Sequence, residues 1–288
     1  MTAVPGRAVR GRAPIPRRGD TVADEAMFLV EGNALRPTEW AVGPWSPDAL
    51  QGSAYGSLLV RSLERSDAAA GMTLARLSFD LWRPVGLAPI TTAVAVLRDG
   101  RKARTLEATL EQGGKQVARC TAVLLRIDAA SAPPKAPAQA SGPAPGPEAG
   151  RVVPPQVKAW SPFFTGVDTR VVEGDLLKPG PASAWFNLGR PLVAGEENSP
   201  FVHALSAADL AGGISAIVDL RVWTFVNADL TVTFWRTPRP PWILLSAATS
   251  AGDQGTGVTR GELSDVDGPV GACMQTLIFE RRLASPRA

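Results

Sequence analysis

Apolar and polar residues alternate along several stretches of the chain, which is the pattern of β-strands with one buried face. In residues 116–127, one set of alternate positions is small or apolar and the other set is more polar. The first set comprises Ala118, Cys120, Ala122 and Leu124, and the second comprises Arg119, Thr121 and Val123. The small residues of the first set predict a sheet face against which a helix packs.

A similar strand near the C-terminus has an apolar outer face. Its outward positions are Ala272, Met274, Thr276 and Ile278. A surface of this composition is unfavourable in water, so we expect it to be covered. We therefore predict a homo-oligomer, in the simplest case a dimer.

Along the whole chain, the pattern predicts the same order of elements twice, namely a helix followed by four strands. In the first half, the helix spans residues 52–64 and the strands span residues 74–83, 90–97, 103–112 and 116–127. In the second half, the helix runs from Pro200, after the candidate N-cap Ser199, to about Ala211. The strands of this half span residues 225–236, 242–250, 257–264 and 270–280. A helix packed on one face of an antiparallel sheet predicts an α+β fold.

The two halves carry matching segments at one constant spacing. Leu77–Arg83 (LSFDLWR) aligns with Leu230–Arg236 (LTVTFWR), and Val117–Cys120 aligns with Val270–Cys273. Positions 77 and 230 are 153 residues apart, and so are positions 120 and 273. Because the spacing holds without a gap, it indicates a duplicated domain.

A stretch rich in Ala, Pro and Gly separates the two halves. It lacks the apolar residues that would offset the entropy lost on ordering, which predicts a linker. We expect a disordered basic tail at 1–25, an N-terminal domain at 26–127, a linker at 128–158, a C-terminal domain at 159–282 and a tail at 283–288.

The composition narrows the class of protein. The chain is 45% hydrophobic and 20% charged, as in soluble globular proteins, and no apolar run approaches the length of about 20 residues that a membrane span needs. The net charge is only +3, and no zinc-finger spacing, aromatic RNA-binding motif or dense basic helix is present. Nucleic-acid and membrane partners are therefore not expected.

Cysteine and histidine usage argues against disulfides and metal sites. Cys120 and Cys273 each lie in an apolar strand, and no secretory signal precedes them. We predict that both are reduced core residues of a cytoplasmic protein. With His203 as the single histidine, a zinc site is not expected, and no cofactor is predicted.

Six short segments carry a resemblance to a known family. They are GPWSPD at 43–48, LWRP at 81–84, RPLV at 190–193, AADL at 207–210, WTFVNADLT at 223–231 and GPVG at 268–271. In this order and spacing, the chain resembles the acyl-CoA thioesterase family of double-hotdog proteins, the relatives of bacterial acyl-CoA thioesterase II. The resemblance extends from residue 26 to residue 282 outside the linker. It implies two fused hotdog domains and the hydrolysis of an acyl-CoA substrate to free acid and CoA.

The resemblance also implies a set of catalytic residues. In that family, an Asp on the second helix, a Thr or similar residue opening the next strand and a Gln on the last strand hold the attacking water. The matching residues are Asp209, Asn227 and Gln275. Asn227 departs from Thr, and Gln51-Gly-Ser53 stands where many relatives carry His-Gly-Gly.

The internal duplication supports the same three residues independently. The positions 153 residues earlier hold Gly56, Leu74 and Ala122, which are small or apolar. An unpaired buried polar group costs about 1–3 kcal/mol, so a fold that works without such groups in one copy has no structural need for them in the other. This asymmetry predicts a functional site in the second half.

The periodicity favours two of the three residues. Asp209 shares a helix stripe with Val202 and Leu205, and Gln275 lies on the helix-facing side of its strand. Strict alternation turns Asn227 to the opposite face, so a β-bulge would be needed to bring it into the site.

These residues predict direct attack by water, without a covalent intermediate. The chain has no Gly-x-Ser-x-Gly motif, and its single histidine disfavours a Ser–His–Asp arrangement. Two alternatives stay open: a protein that binds acyl-CoA or another hydrophobic ligand without turnover, and an enoyl-CoA hydratase or dehydratase that would use His203 with Asp209. The substrate-binding residues, the acyl chain length and the carrier, CoA or acyl carrier protein, are not identified by the sequence.

Overall fold

The structure is a computed structural model that describes residues 25–131 and 145–282. Apart from Glu25, the predicted tails at 1–25 and 283–288 lie outside the described residues, as does the middle of the predicted linker. No helix in the described part is long and apolar enough to span a membrane.

The N-terminal half consists of one helix and six strands. These elements are β1 (Phe28–Glu31), β2 (Ala34–Pro37), α1 (Gly52–Glu64), β3 (Met72–Leu81), β4 (Ile90–Arg98), β5 (Ala103–Gln112) and β6 (Lys115–Arg126). The predicted alternation in β6 is confirmed, because Ala118, Cys120, Ala122 and Leu124 are buried and α1 packs over β4, β5 and β6.

The C-terminal half begins with two short helices and three strands, and the strands form one end of the sheet. These elements are β7 (Arg151–Val152), α2 (Pro155–Lys158), α3 (Pro162–Thr165), β8 (Val167–Glu173) and β9 (Ala182–Leu188). Part of the predicted linker therefore has regular structure, since β7 pairs with β8 and the side chains of Val153 and Val157 are buried.

The repeated part of this half follows. It comprises α4 (Pro200–Ala208), α5 (Ala211–Ile214), β10 (Trp223–Asn227), β11 (Asp229–Phe234), β12 (Trp242–Ala251), β13 (Thr256–Asp265) and β14 (Gly268–Arg281). Two predicted elements are divided in the structure. The helix expected to reach Ala211 ends at Ala208, and the strand expected over 225–236 is interrupted at Ala228.

All these strands join one antiparallel sheet. The strand order is β1-β2-β4-β5-β6-β3-β11-β14-β13-β12-β9-β8-β7, with β10 paired to β14. Helices α1 and α4 pack against each other, and α4 also packs on β9, β12 and β13. The hydrophobic core lies between these helices and the sheet.

The strand registers repeat at the spacing of 153 residues. In the first half, Cys120 of β6 lies between Ala108 of β5 and Phe79 of β3. In the second half, Cys273 of β14 lies between the equivalent residues, Gly261 of β13 and Val232 of β11. The repeat in the sequence is thus also a repeat in three-dimensional structure.

The two halves meet where β3 pairs with β11. In this pairing Ser78 lies opposite Thr231, its own equivalent at the spacing of 153, and their hydroxyl oxygens are 3.3 Å apart. β3 and β11 are therefore related by an approximate two-fold axis that passes through this residue pair.

Candidate active site

Asp209 lies at a break between two helices. It follows the last residue of α4, and α5 starts two residues later at Ala211. Gly212 and Gly213 lie within α5 and have low helix propensity, in keeping with its length of four residues. The break places the carboxylate of Asp209 in the seam between α4 and the start of α1.

Three donors hold the carboxylate of Asp209. The Gln51 side-chain amide and the Ser53 backbone N–H donate to Oδ2 at 2.8 and 2.7 Å. The Asn227 side-chain amide donates to Oδ1 at 3.2 Å. Two of these donors belong to the N-terminal half, so both halves of the chain build the site.

Gly52 provides the space for this arrangement. A Cβ atom at this position would lie 2.9 Å from both carboxylate oxygens of Asp209. Gly52 is also the first residue of α1, where backbone N–H groups have no partner within the helix. Its N–H makes no hydrogen bond to any residue in the described part of the chain.

Asn227 reaches the site because of a β-bulge. The register between β14 and its neighbours shifts by one residue at Ala228, between the pairs Asn227–Leu277 and Thr231–Met274. The bulge puts Phe225 and Asn227 on the inner side together with Leu230. The equivalent Leu74 precedes a matching register shift in β3.

Gln275 contacts the backbone of the Asp209 segment and not its carboxylate. Its Nε2 donates to the carbonyl oxygen of Asp209 at 3.0 Å, and its Oε1 accepts from the N–H of Gly212 at 2.9 Å. The side chain is 1% exposed and lies on the helix-facing side of β14, as the alternation predicts. Gln275 therefore replaces the helical hydrogen bonds that are lost where α4 ends.

The strand registers relate two of the three residues to their equivalents at the spacing of 153. Asn227 corresponds to Leu74 and Gln275 to Ala122. The helices themselves start 148 residues apart, since α1 starts at residue 52 and α4 at residue 200. The equivalence of Asp209 with Gly56 therefore stays a prediction, and the strand registers support the asymmetry for the two strand residues.

Sequence reasoning did not identify Gln51, Gly52 and Ser53 as part of the site. The available signal was the segment Gln51-Gly-Ser53, which departs from His-Gly-Gly of many relatives. The departure matters because Gln51 donates directly to Asp209. The side-chain oxygen of Gln51 is also buried without a hydrogen-bond partner in the described part of the chain.

Burial controls the electrostatics of the site. Enclosure of Asp209 raises the pKa of its carboxyl group, and the hydrogen bonds from Gln51, Ser53 and Asn227 oppose this shift without cancelling it. Burial and the negative charge of Asp209 raise the pKa of the neighbouring Tyr55. Asp209 is therefore a better proton acceptor than an exposed aspartate.

These residues line a cavity of about 1000 Å³. Its lining includes Gln51, Gly52, Asp209, Asn227 and Gln275. Six aromatic residues also contribute to its walls, namely Trp45, Tyr55, Trp82, Trp160, Phe164 and Phe225. The cavity also touches Val226 and Ile278, whose side chains are about half exposed. It therefore passes the edge of β10 and opens to solvent.

His203 lies apart from this cavity. It lines a different depression with Arg190, Pro240 and Pro241, and burial lowers its pKa to about 4. The pairing of His203 with Asp209 that a hydratase or dehydratase would use is not formed. Among the described residues, no cluster of three or more His, Cys, Asp and Glu side chains could bind a metal ion.

Two family models match consecutive parts of the chain. The model of the acyl-CoA thioesterase N-terminal domain matches residues 41–125, and the model of the acyl-CoA thioesterase C-terminal domain matches residues 128–279. A search of curated protein sequences finds no match.

Solved structures show the fold. A putative thioesterase II from Thermobifida fusca YX is 20% identical, with a TM-score of 0.69 over 94% of this chain and 100% of its own. A conserved protein with a hotdog fold from Alicyclobacillus acidocaldarius is 15% identical, with a TM-score of 0.70 over 92% and 100%. An acyl-CoA thioesterase II from Mycobacterium marinum is 18% identical, with a TM-score of 0.61 over 91% and 99%. The fold is therefore a hotdog fold, and the chain belongs to the acyl-CoA thioesterase family and is an acyl-CoA thioesterase.

Proposed function

We propose that the protein hydrolyses acyl-CoA thioesters through a water molecule that Asp209 activates. The observation that carries this proposal is the position of the Asp209 carboxylate. It lines a cavity of about 1000 Å³, is held by three donors and has a raised pKa. A group that must take a proton from water near neutral pH benefits from such a shift.

In the proposed reaction, the water oxygen attacks the thioester carbonyl carbon while its proton moves to Asp209. The carbonyl oxygen becomes an oxyanion, which the N–H of Gly52 at the start of α1 stabilises. The C–S bond then breaks and the CoA sulfur takes the proton from Asp209. The products are the free acid and CoA, and Asp209 returns to its carboxylate form.

The remaining polar residues have positioning roles in this proposal. Gln51 and Asn227 fix the orientation of the carboxylate, since they donate to different oxygens of Asp209. The free side-chain oxygen of Gln51 is an acceptor for the attacking water. Gln275 fixes the backbone at Asp209 through two hydrogen bonds, and its second amide hydrogen is available to the water.

A second proposal concerns the division of the chain into domains. We infer that the two halves are fused hotdog domains, which gives a double hotdog. The support is the repeat of two strand registers at a spacing of 153 residues, β3/β6 as β11/β14 and β5/β6 as β13/β14, together with the self-equivalent pair Ser78 and Thr231.

We also propose a cytoplasmic homodimer. Met274 on the outer face of β14 is 46% exposed and does not line the cavity, and such exposure is costly in water unless a second copy covers it. The buried thiols of Cys120 and Cys273 are unpaired, as expected in a reducing compartment. Light scattering tests the assembly: Met274→Arg is expected to give monomers, and an unchanged dimer would contradict this interface.

Thiol release tests the catalytic proposal. The wild-type protein and Asp209→Asn are compared across short, medium, long and aromatic acyl-CoAs with a chromogenic thiol reagent. We expect release from at least one acyl-CoA by the wild type, and a loss of about 1000-fold or more in kcat for Asp209→Asn because the base is absent. Equal rates for the two proteins, or tight binding by the wild type without any release of CoA, would contradict the proposal.

A further inference from the structure

Three arginines line the cavity that contains Asp209. They are Arg83, Arg221 and Arg282, and the carboxylates in the same lining are those of Asp48 and Asp209. In the described part of the chain, no carboxylate lies within ion-pair distance of Arg83 or Arg282. The mouth of the cavity therefore offers cationic groups that the protein itself does not neutralise.

Arg282 has a defined position relative to the catalytic end of the cavity. It follows β14, five residues beyond Leu277, which pairs with Asn227. At about 3.3 Å per residue of strand, Arg282 lies about 16 Å from that pair. Its Nε donates to the carbonyl oxygen of Leu220 at 2.9 Å, which ties it to the segment that carries Arg221.

Arg221 and Arg282 differ in their neighbours. Arg221 forms an ion pair of 2.8 Å with Asp219, and hydrogen bonds from Arg221 lower the pKa of Asp219 to about 2. Asp219 is thus charged at neutral pH and occupies part of the Arg221 guanidinium. Arg282 uses one N–H on Leu220 and keeps its other donors.

We infer that Arg282, supported by Arg221, binds the diphosphate of CoA and makes this protein selective for CoA thioesters over thioesters without a phosphate. The inference rests on the proposed function, which places the thioester beside Asp209. About thirteen bonds separate the sulfur of CoA from its diphosphate, and an extended chain of this length spans about 15 Å. This reach matches the separation of Asn227 from Arg282, and guanidinium groups bind phosphate oxygens in a bidentate manner.

The first experiment uses the wild-type protein with three octanoyl thioesters: those of CoA, dephospho-CoA and pantetheine. Dephospho-CoA keeps the diphosphate, whereas pantetheine has no phosphate. We expect similar KM values for the first two and a KM at least about tenfold higher for the pantetheine thioester. Equal values for all three overturn the inference, and a rise already with dephospho-CoA assigns the contact to the 3′-phosphate and contradicts the diphosphate site.

The second experiment compares Arg282→Gln with Arg281→Gln. Arg281 is the adjacent exposed residue at the end of β14 and does not line the cavity, so its variant makes the same change of charge. We expect Arg282→Gln to raise the KM for octanoyl-CoA about tenfold without changing kcat/KM for octanoyl-pantetheine. Arg281→Gln is expected to change neither value.

The outcomes separate this inference from the proposed function. An equal loss on both substrates in Arg282→Gln indicates a structural role and overturns the inference, as does a loss of the same size in Arg281→Gln. Arg282→Lys keeps the charge and is expected to recover most of the affinity for octanoyl-CoA. If the wild type releases no thiol from octanoyl-CoA or from any other acyl-CoA of the chain-length comparison, the proposed function itself fails.

Discussion

Gln51 and Asp209 lie 158 positions apart in the chain, and the side-chain amide of Gln51 donates to Oδ2 of Asp209 at 2.8 Å. This hydrogen bond connects the start of the first long helix with the end of the second. It stabilises the charged form of a carboxyl group whose pKa burial raises. Gln51 therefore raises the fraction of Asp209 that is in the carboxylate form, which is the form that acts as the base.

Replacement of Gln51 by Met removes this donor and retains most of the side-chain volume. A hydrogen bond to a charged group contributes about 1.5–3 kcal/mol, so kcat/KM at neutral pH is expected to fall by about tenfold or more. The pKa of Asp209 rises further, and the acid limb of the pH profile of kcat/KM moves to higher pH. The exposed Gln116 of β6 gives the matched control, Gln116→Met. An acid limb at the same pH in both variants would show that Gln51 does not act on Asp209.

Gly52 and Gly56 lie in the same helix and provide a second pair of variants. A Cβ atom at residue 52 would meet the Asp209 carboxylate at 2.9 Å, whereas the nearest atom to a Cβ at residue 56 is Cδ2 of Leu205 at 3.5 Å. Displacement of a catalytic group by about 1 Å can reduce the rate about 100-fold, and we expect a loss of this size in kcat for Gly52→Ala.

Gly56→Ala is expected to keep kcat within about threefold and to gain up to about 1 kcal/mol of helix stability. Thiol-release rates and urea unfolding measure the two effects. Similar rates for Gly52→Ala and the wild type would mean that the carboxylate can move away from residue 52 without loss of function.

The sequence predicts the parts of this structure that depend on local patterns. The helix over 52–64 and the hairpins after it follow from periodicity and turn residues, and Asp209 stands out on an apolar stripe. β9 was not predicted because its buried positions do not alternate, since Ala184, Trp185 and Phe186 are all enclosed. Such a run cannot be assigned from periodicity alone.

The unpredicted part of the site depends on contacts between distant segments. The approach of Gln51 and Ser53 to Asp209 results from the packing of α1 against α4, which no spacing in the sequence encodes. The role of Gln275 was also different from the expected one. A strand glutamine can reach a carboxylate or a backbone carbonyl, and the end of α4 at Ala208 determines that it reaches the carbonyl.

Gln275 therefore offers a test that combines stability and activity. In Gln275→Met, the N–H of Gly212 and the carbonyl oxygen of Asp209 lose their partners inside the protein. Each unpaired buried group costs about 1–3 kcal/mol, so the free energy of unfolding is expected to fall by about 2–4 kcal/mol. We expect kcat to fall as well, because the backbone at Asp209 is less fixed.

The exposed Gln116 of β6 provides the control for this variant. Gln116→Met makes the same exchange at the surface, so it is expected to change the free energy of unfolding by less than about 1 kcal/mol. Urea unfolding at one pH compares the variants. A loss in Gln275→Met no larger than that in Gln116→Met would refute the role of Gln275 at the helix break.

Asp209 and Asp265 are both enclosed aspartates, but their pKa values shift in opposite directions. Burial acts to raise the pKa in each case, and at Asp209 it prevails over the hydrogen bonds. At Asp265 the paired guanidinium of Arg236 and the backbone N–H groups of Asp267 and Arg239 outweigh burial, and the pKa is lowered. Only the arrangement around Asp265 favours the folded state of the protein at neutral pH.

The two Asn variants are expected to respond to pH with opposite signs. A raised folded-state pKa means that wild-type stability falls as pH rises from the unfolded-state value near 3.9 through the folded-state pKa of Asp209. Asp209→Asn has no carboxyl group at this position, so its free energy of unfolding is expected to rise relative to that of the wild type between pH 4 and pH 8. The same variant is expected to lose activity. A lowered pKa means that the contribution of Asp265 is fully present above about pH 3.9 and disappears as pH falls through its folded-state pKa.

Asp265→Asn is thus expected to be less stable than the wild type by about 3 kcal/mol at pH 7, and the difference shrinks towards pH 3. Urea unfolding of the wild type and both variants at pH 3, 4, 6 and 8 measures all of these differences. If Asp209→Asn instead lost stability relative to the wild type as pH rose, the carboxylate of Asp209 would be stabilising the fold. Such a result would contradict the proposal that Asp209 is a base whose burial lowers the stability of the folded protein.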